Sequence, residues 1–155
     1  MKIGSRFGAV LDMVTDRCST TTLLVYLGHL HPSLLLLFQF LISLDLASHY
    51  AHMVASLVGG SSSHKKVTSK TPFLLRLYYQ HASVLFLVCC GNELFFMMWY
   101  MSSWPAMMTS FGTAITIVKW VSFPICVFKQ ILNLVQLAGA SVDLVNADVK
   151  TRKMK

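Results

Sequence analysis

The chain is organised as long apolar blocks separated by short clusters of basic residues. Of its 155 residues, 55% are hydrophobic and 12% are charged, whereas a typical soluble domain has about 25% charged residues. A membrane-spanning helix needs roughly 20 apolar residues, and four blocks are long enough, at residues 6–28, 33–58, 75–101 and 108–137. The sequence therefore predicts an all-α polytopic membrane helix bundle with about four transmembrane helices. Residues 1–140 form its membrane domain, and residues 141–155 form a basic cytosolic tail.

The positions of the basic residues predict an orientation in the membrane. The net charge is +7, but Lys and Arg collect mainly at residues 2–17, 65–76 and 150–155, with apolar blocks between them. These clusters do not form one basic face, so the charge does not indicate nucleic-acid binding. Because cytosolic loops are enriched in Lys and Arg, the N-terminus, the middle loop and the C-terminus are expected on the cytosolic side.

Two aspartates stand at the polar start of the first block. Asp12 and Asp16 are four residues apart, so on a helix their carboxylates share one face at about 6 Å separation, and Gly8 lies one turn earlier on that face. Such a pair suits a divalent cation that is also held by substrate phosphates. The spacing equally allows a solvated helix start in which Asp16 pairs with Arg17 or Arg6.

A stripe of polar residues runs along the second block. Its members recur at steps of three and four residues, as one face of a helix does, and they are Asp45, Ser48, His49, His52 and Ser56. Polar groups at membrane depth are expected to face the bundle interior, where partners satisfy them. A metal site formed by Asp45, His49 and His52 is an alternative that ranks below a hydrogen-bonded lining, since the set lacks the compact spacing of a zinc helix.

Two further charges lie inside apolar blocks. Glu93 is in the middle of the third block and Lys119 is in the fourth. A charge inside a membrane requires a partner, so Glu93 and Lys119 are one possible structural ion pair. The alternative is that the Glu93 carboxylate lines the polar interior of the bundle.

The run Gly8-x-x-x-Asp12-x-x-x-Asp16 resembles the second half of the CDP-alcohol phosphotransferase signature. That signature reads D-x-x-D-G-x-x-A-R, a spacer, and then G-x-x-x-D-x-x-x-D. More narrowly, the chain is similar to the eukaryotic phosphatidylinositol synthase branch of that family. Five stretches carry this similarity, in the family's order: RFGAVLDMVTDRC at 6–18, SLDLASHYAHM at 43–53, SHK at 63–65, LYYQ at 77–80 and GNELFF at 91–96.

The resemblance implies a phospholipid-forming transferase with a six-helix membrane fold, in which a hydroxyl of myo-inositol attacks CDP-diacylglycerol and CMP leaves. It implies Mg²⁺ or Mn²⁺, with Asp12 as a metal ligand and Asp16 as both a metal ligand and the catalytic base. Gly8 would lie beside the cytidine diphosphate. Other implied substrate-binding side chains are Asp45, Ser48, His49, His52, Ser63, His64 and Lys65. Membrane lipid surroundings, a homodimer and an endoplasmic reticulum location are also implied.

The chain departs from the family pattern because it does not contain D-x-x-D-G-x-x-A-R. In the family this half carries two more metal-binding aspartates, so the chain as given is expected to be inactive or nearly so. One alternative is a non-catalytic membrane protein that packs with a full-length copy. Another is a small channel or transporter that uses the stripe from Asp45 to His52.

Overall fold

The computed structural model describes residues 5–59 and 82–153. These residues form α1 (Arg6–Leu30), a 3₁₀ turn (Pro32–Leu34), α2 (Leu35–Val58), α3 (Ala82–Ser102) and α4 (Pro105–Lys153), and no strand occurs in the described ranges. The predicted all-α fold is confirmed. The predicted third block began at residue 75, and its first seven residues lie outside the described part.

The helix ends follow local sequence signals. Ser5 caps α1, because its Oγ accepts a hydrogen bond of 2.9 Å from the Gly8 N–H, as N-cap serines do. Pro32 ends α1, since a residue that precedes proline is disfavoured in the helical region, and His31 has φ −127° and ψ 73°. Pro105 begins α4 at the position where a missing N–H removes no helical hydrogen bond.

Three helical segments are long and apolar enough to cross a membrane, by length and composition: Pro32–Val58, Ser83–Ser102 and Pro105–Lys153. The first predicted span is a helix, α1, but it is not among these three. Asp12, Asp16 and Arg17 make its first half polar. The described residues therefore give three membrane-length apolar helices instead of four, with α1 packed against α2 and α3.

The core is apolar and partly aromatic. Leu24 and Leu27 of α1 are 2% and 0% exposed, and they pack with residues of the other helices: Phe38, Phe95, Phe96 and Cys126. Large apolar side chains also cover the outer surface, where Leu36 is 80% exposed and Phe86 is 67% exposed. A bundle that is apolar both inside and outside matches a lipid environment.

The connections α1–α2 and α3–α4 meet at one end of the bundle. Nε2 of His31 lies 2.9 Å from Oγ of Ser103, and the Trp99 ring contacts the rings of His31, Phe38 and Phe95 at this end. These contacts bring the two connections together.

The last helix continues well past the predicted fourth block. α4 has 49 residues, which corresponds to about 74 Å of helix at 1.5 Å per residue. This exceeds the roughly 30 Å hydrocarbon thickness, so only part of α4 fits within a bilayer. Residues 141–153 of the predicted tail are a continuation of this helix.

Candidate functional site

The aspartate pair lies on the exposed face of α1. Asp12 and Asp16 are both exposed, and the Asp16 side chain is 60% exposed. Gly8 is exposed one turn earlier, and a Cβ there would lie 3.0 Å from Oγ of Ser5. The described part of the chain contains no group of three His, Cys, Asp or Glu side chains that could hold a metal ion. Asp12 and Asp16 are thus two exposed carboxylates, four residues apart on α1.

Arg17, which follows Asp16 directly, points into the bundle. Its Nη1 donates to Oδ1 and Oδ2 of Asp45 on α2, at 2.6 and 2.7 Å. The two side chains are 7% and 10% exposed. Nη2 of Arg17 lies 3.8 Å from Oδ2 of Asp16. The sequence allowed an Asp16–Arg17 pair in a solvated helix start, but the shorter contacts of Arg17 are made with Asp45, and Arg17 is buried.

Helix α4 supplies a second buried cation beside Asp45. Nζ of Lys129 lies 3.8 Å from Oδ1 of Asp45 and donates to Oδ1 of Asn133 at 2.5 Å. Nδ2 of Asn133 donates to Oδ1 of Asp45 at 3.1 Å. Lys129 is 2% exposed and Asn133 is 0% exposed. Asp45 is thus surrounded by donors from α1 and α4.

The hydrogen bonds continue from Asn133 to α3 and back to α1. Nδ2 of Asn133 lies 3.4 Å from Oε1 of Gln130, whose Nε2 donates to Oδ1 of Asn92 at 3.0 Å. Oε1 of Glu93 accepts from Asn92 at 3.4 Å and from Oγ1 of Thr20 at 2.6 Å. One network therefore joins all four helices. We call it the polar cluster: Arg17, Thr20, Asp45, Asn92, Glu93, Lys129, Gln130 and Asn133.

The polar cluster has balanced formal charges, since it contains two cations, Arg17 and Lys129, and two carboxylates, Asp45 and Glu93. A buried charge in a low-dielectric interior is costly unless it is paired and hydrogen-bonded. Both cations lie within 4 Å of Asp45, and the half-buried Glu93 accepts hydrogen bonds from Thr20 and Asn92. Nε of Arg17, in contrast, is buried without a hydrogen-bond partner among the described residues.

The residues of the polar stripe of α2 differ in how deeply they are buried. Asp45 and Ser48 are buried, whereas His49, His52 and Ser56 are half-buried. Oγ of Ser48 donates to the Asp45 carbonyl at 3.0 Å, and Nδ1 of His49 lies 2.8 Å from that same oxygen. The prediction that the stripe faces the bundle interior is confirmed at Asp45 and Ser48. The alternative of a three-residue metal site gains no support in the described residues, and Ser63, His64 and Lys65 lie outside them.

The possible ion pair between Glu93 and Lys119 does not form, and the contacts of Glu93 agree with the alternative of a carboxylate in the polar interior. Nζ of Lys119 reaches Oγ of Ser102 at 3.5 Å, while Glu93 accepts from Thr20 and Asn92 as described above. The reason is helix register. Gly91, two residues before Glu93, lies beside Ile125 of α4, because a Cβ on Gly91 would touch that side chain. Lys119 is six residues from Ile125, which places it about 9 Å farther along α4. Lys129 is the lysine of α4 that lies inside the bundle.

Sequence reasoning missed the α4 side of the polar cluster and the inward direction of Arg17. A usable signal was present, because Lys129, Asn133 and Gln136 recur at steps of four and three in an apolar helix. This is the same pattern that identified the stripe of α2. All three residues are at most 2% exposed.

Three membrane-length helices, a buried polar cluster and an exposed carboxylate pair define a polytopic helical membrane protein. The chain is 50% identical over 145 residues to a CDP-diacylglycerol–inositol 3-phosphatidyltransferase of Candida albicans, covering 94% of this chain and 61% of that protein. It is 44% identical to the protein of the same name from Schizosaccharomyces pombe, covering 96% of this chain and 70% of that protein. For the human protein of that name the identity is 41%, with coverage of 98% and 72%.

The chain belongs to the CDP-diacylglycerol–inositol 3-phosphatidyltransferase family. It spans 61% to 72% of the length of these three relatives. No protein-family model matches the chain. No solved structure matches it either.

Proposed function

We propose that the chain takes part in transferring a phosphatidyl group from CDP-diacylglycerol to myo-inositol, which gives phosphatidylinositol and CMP. Family membership supports this proposal, because the relatives are named for this reaction. The observation that carries it to residues is the exposed pair Asp12 and Asp16, which keeps the G-x-x-x-D-x-x-x-D spacing on one helix face. We further propose a homodimer in the endoplasmic reticulum membrane, with both termini cytosolic.

The donor set of α1 fits a divalent cation. Mg²⁺ is commonly bound by one or two carboxylates together with substrate phosphates, and Asp12 and Asp16 are two such carboxylates on an exposed face. We propose that these two residues hold Mg²⁺ or Mn²⁺. When it is bound, the cation neutralises charge on the diphosphate.

The chain's own residues then have distinct roles. Asp16 accepts the proton of an inositol hydroxyl as that oxygen bonds to the phosphorus next to diacylglycerol. The bond from this phosphorus to the CMP oxygen breaks, and CMP leaves. Gly8 lets the diphosphate approach α1 closely, because it has no side chain. We assign the polar substrate-binding surface to the half-buried His49 and His52 of α2, together with Ser63, His64 and Lys65, whereas Asp45 and Ser48 are buried behind this surface and support it.

A labelled-inositol assay tests this function. Because the chain does not contain D-x-x-D-G-x-x-A-R, the assay uses a full-length form that carries this half. Membranes with that form receive CDP-diacylglycerol, Mn²⁺ and radiolabelled myo-inositol, and the label in extracted lipid is counted. Because general-base catalysis contributes about 10²–10⁴-fold, Asp16→Asn is expected to lower the rate at least about 100-fold. Asp143→Asn removes an exposed carboxylate far along α4 and is expected to keep the rate. A normal rate in Asp16→Asn would contradict the assignment of the base.

A second function is a non-catalytic one, in which the chain packs with a full-length copy. It is favoured by the small ligand set, since Asp12 and Asp16 gain no third His, Cys, Asp or Glu partner for a metal within the described residues. No lipid product from the wild-type chain, together with co-purification of a differently tagged full-length relative, would support this function. Product formation that depends on Asp16 would exclude it.

A further inference from the structure

We propose that Asp45 is a positioning residue that keeps the guanidinium of Arg17 from hydrogen-bonding to Asp16 and so leaves the Asp16 carboxylate available to a divalent cation. This inference deepens the proposed function, and it rests on the proposed metal site at Asp12 and Asp16.

The geometry of Arg17 carries the argument. One of its terminal nitrogens, Nη1, is bound to both carboxylate oxygens of Asp45, at 2.6 and 2.7 Å. The other, Nη2, lies 3.8 Å from Oδ2 of Asp16, which is within ion-pair distance but longer than a hydrogen bond. The same guanidinium therefore stands between two carboxylates and is bound closely to only one of them.

Burial explains why Asp45 holds the guanidinium. The side chains of Arg17 and Asp45 are 7% and 10% exposed, so their attraction acts in a medium of low dielectric constant. The Asp16 side chain is 60% exposed, and an exposed pair is weakened by water and salt. Asn133 and Lys129 also approach Oδ1 of Asp45, which fixes the carboxylate that receives Arg17.

Removal of the Asp45 charge changes which carboxylate Arg17 binds. Two buried cations, Arg17 and Lys129, then remain without the anion between them. Lys129 keeps its hydrogen bond to Asn133, but Arg17 loses both of its short contacts. Within the described residues, Asp16 is the other carboxylate that lies within 4 Å of Arg17, and a guanidinium bound to Asp16 competes with a metal ion for the same oxygens.

Two double variants isolate this effect, and each is a matched control for the other. Both contain Asp45→Asn and both delete one buried cation, so the formal charge of the polar cluster is the same in each. Asp45→Asn with Lys129→Met keeps Arg17 beside Asp16. Asp45→Asn with Arg17→Gln removes the competing guanidinium and keeps Lys129.

The measurement is direct Mn²⁺ binding by electron paramagnetic resonance, on protein purified in detergent micelles. Changes in groups that orient metal ligands typically cost about 10–100-fold in metal affinity. The variant that retains Arg17 is expected to lose affinity in this range, whereas the variant that lacks Arg17 is expected to bind Mn²⁺ as the wild type does. Glu93→Gln deletes another carboxylate of the polar cluster without touching Arg17 or Asp45, and it is expected to keep the wild-type affinity.

The outcomes separate this inference from the function on which it rests. Equal Mn²⁺ affinity in the two double variants overturns the positioning role, whether both are weak or both are normal. Absent Mn²⁺ binding in the wild type, or binding that Asp12→Asn does not weaken, overturns the metal site and with it the positioning role. A loss confined to the variant that retains Arg17 supports the positioning role, because a general packing defect at Asp45 would impair both variants.

Discussion

Gly91 lies at a close contact between α3 and α4, and Gly91→Ala tests that contact. A Cβ at this position would lie 2.6 Å from Cγ2 of Ile125 and 3.0 Å from its Cβ and Cδ1. Carbon atoms pack best at about 3.5–4.0 Å, so the added methyl group is about 1 Å too close. Ile125 is β-branched and its χ1 is stiff, so relief requires that the two helices move apart.

The magnitude follows from two opposing effects. Excess volume in a packed interface costs about 1–3 kcal/mol, whereas replacement of glycine by alanine within a helix gains about 1 kcal/mol. Gly139→Ala is the matched control, because its Cβ would meet nothing within 4 Å. The gain from helix propensity is shared by both variants. Gly91→Ala is therefore expected to have a free energy of unfolding about 1–3 kcal/mol lower than that of Gly139→Ala.

The free energy of unfolding can be measured by SDS titration in mixed micelles, followed by circular dichroism. The double variant Gly91→Ala with Ile125→Ala removes the clashing Cγ2 and Cδ1 atoms. It is expected to be about 1–2 kcal/mol more stable than the sum of the single effects predicts, a coupling typical of residues in contact. Equal stability of Gly91→Ala and Gly139→Ala would refute the close helix contact, and so would additive effects in the double variant.

Two further predictions use the same unfolding assay. Lys129→Met should lower the free energy of unfolding by about 1–3 kcal/mol, because it leaves the buried Oδ1 of Asn133 without its donor. Lys119→Met removes a half-buried amine with a 3.5 Å contact, and it should change the free energy of unfolding by less than about 0.5 kcal/mol. A larger loss of stability in Lys119→Met than in Lys129→Met would indicate that Lys119, and not Lys129, is the lysine inside the bundle. Thr20→Val removes the 2.6 Å hydrogen bond to Glu93 and should cost about 1–3 kcal/mol. Thr22→Val, an exposed position on the same helix, should change stability by less than about 0.5 kcal/mol, and equal losses in the two valine variants would contradict the contact with Glu93.

The sequence by itself determined the helices and most of their ends. Long apolar blocks can satisfy their backbone groups in lipid only as helices or barrels, and Ser5 and Pro32 mark the limits of α1 through local chemistry. The motif from Gly8 to Asp16 likewise depends only on spacing along one helix. Features of this kind are readable from the sequence because the interacting groups lie within a few residues of each other.

Tertiary structure alone decided which charged side chains meet. Arg17 and Asp45 are 28 residues apart, Asn133 and Asp45 are 88 residues apart, and the expected pair of Glu93 with Lys119 did not form. Periodicity shows that a polar residue faces the bundle interior, but it does not show which residue of another helix lies opposite. That choice is set by the register and rotation of packed helices, which depend on contacts such as the one between Gly91 and Ile125.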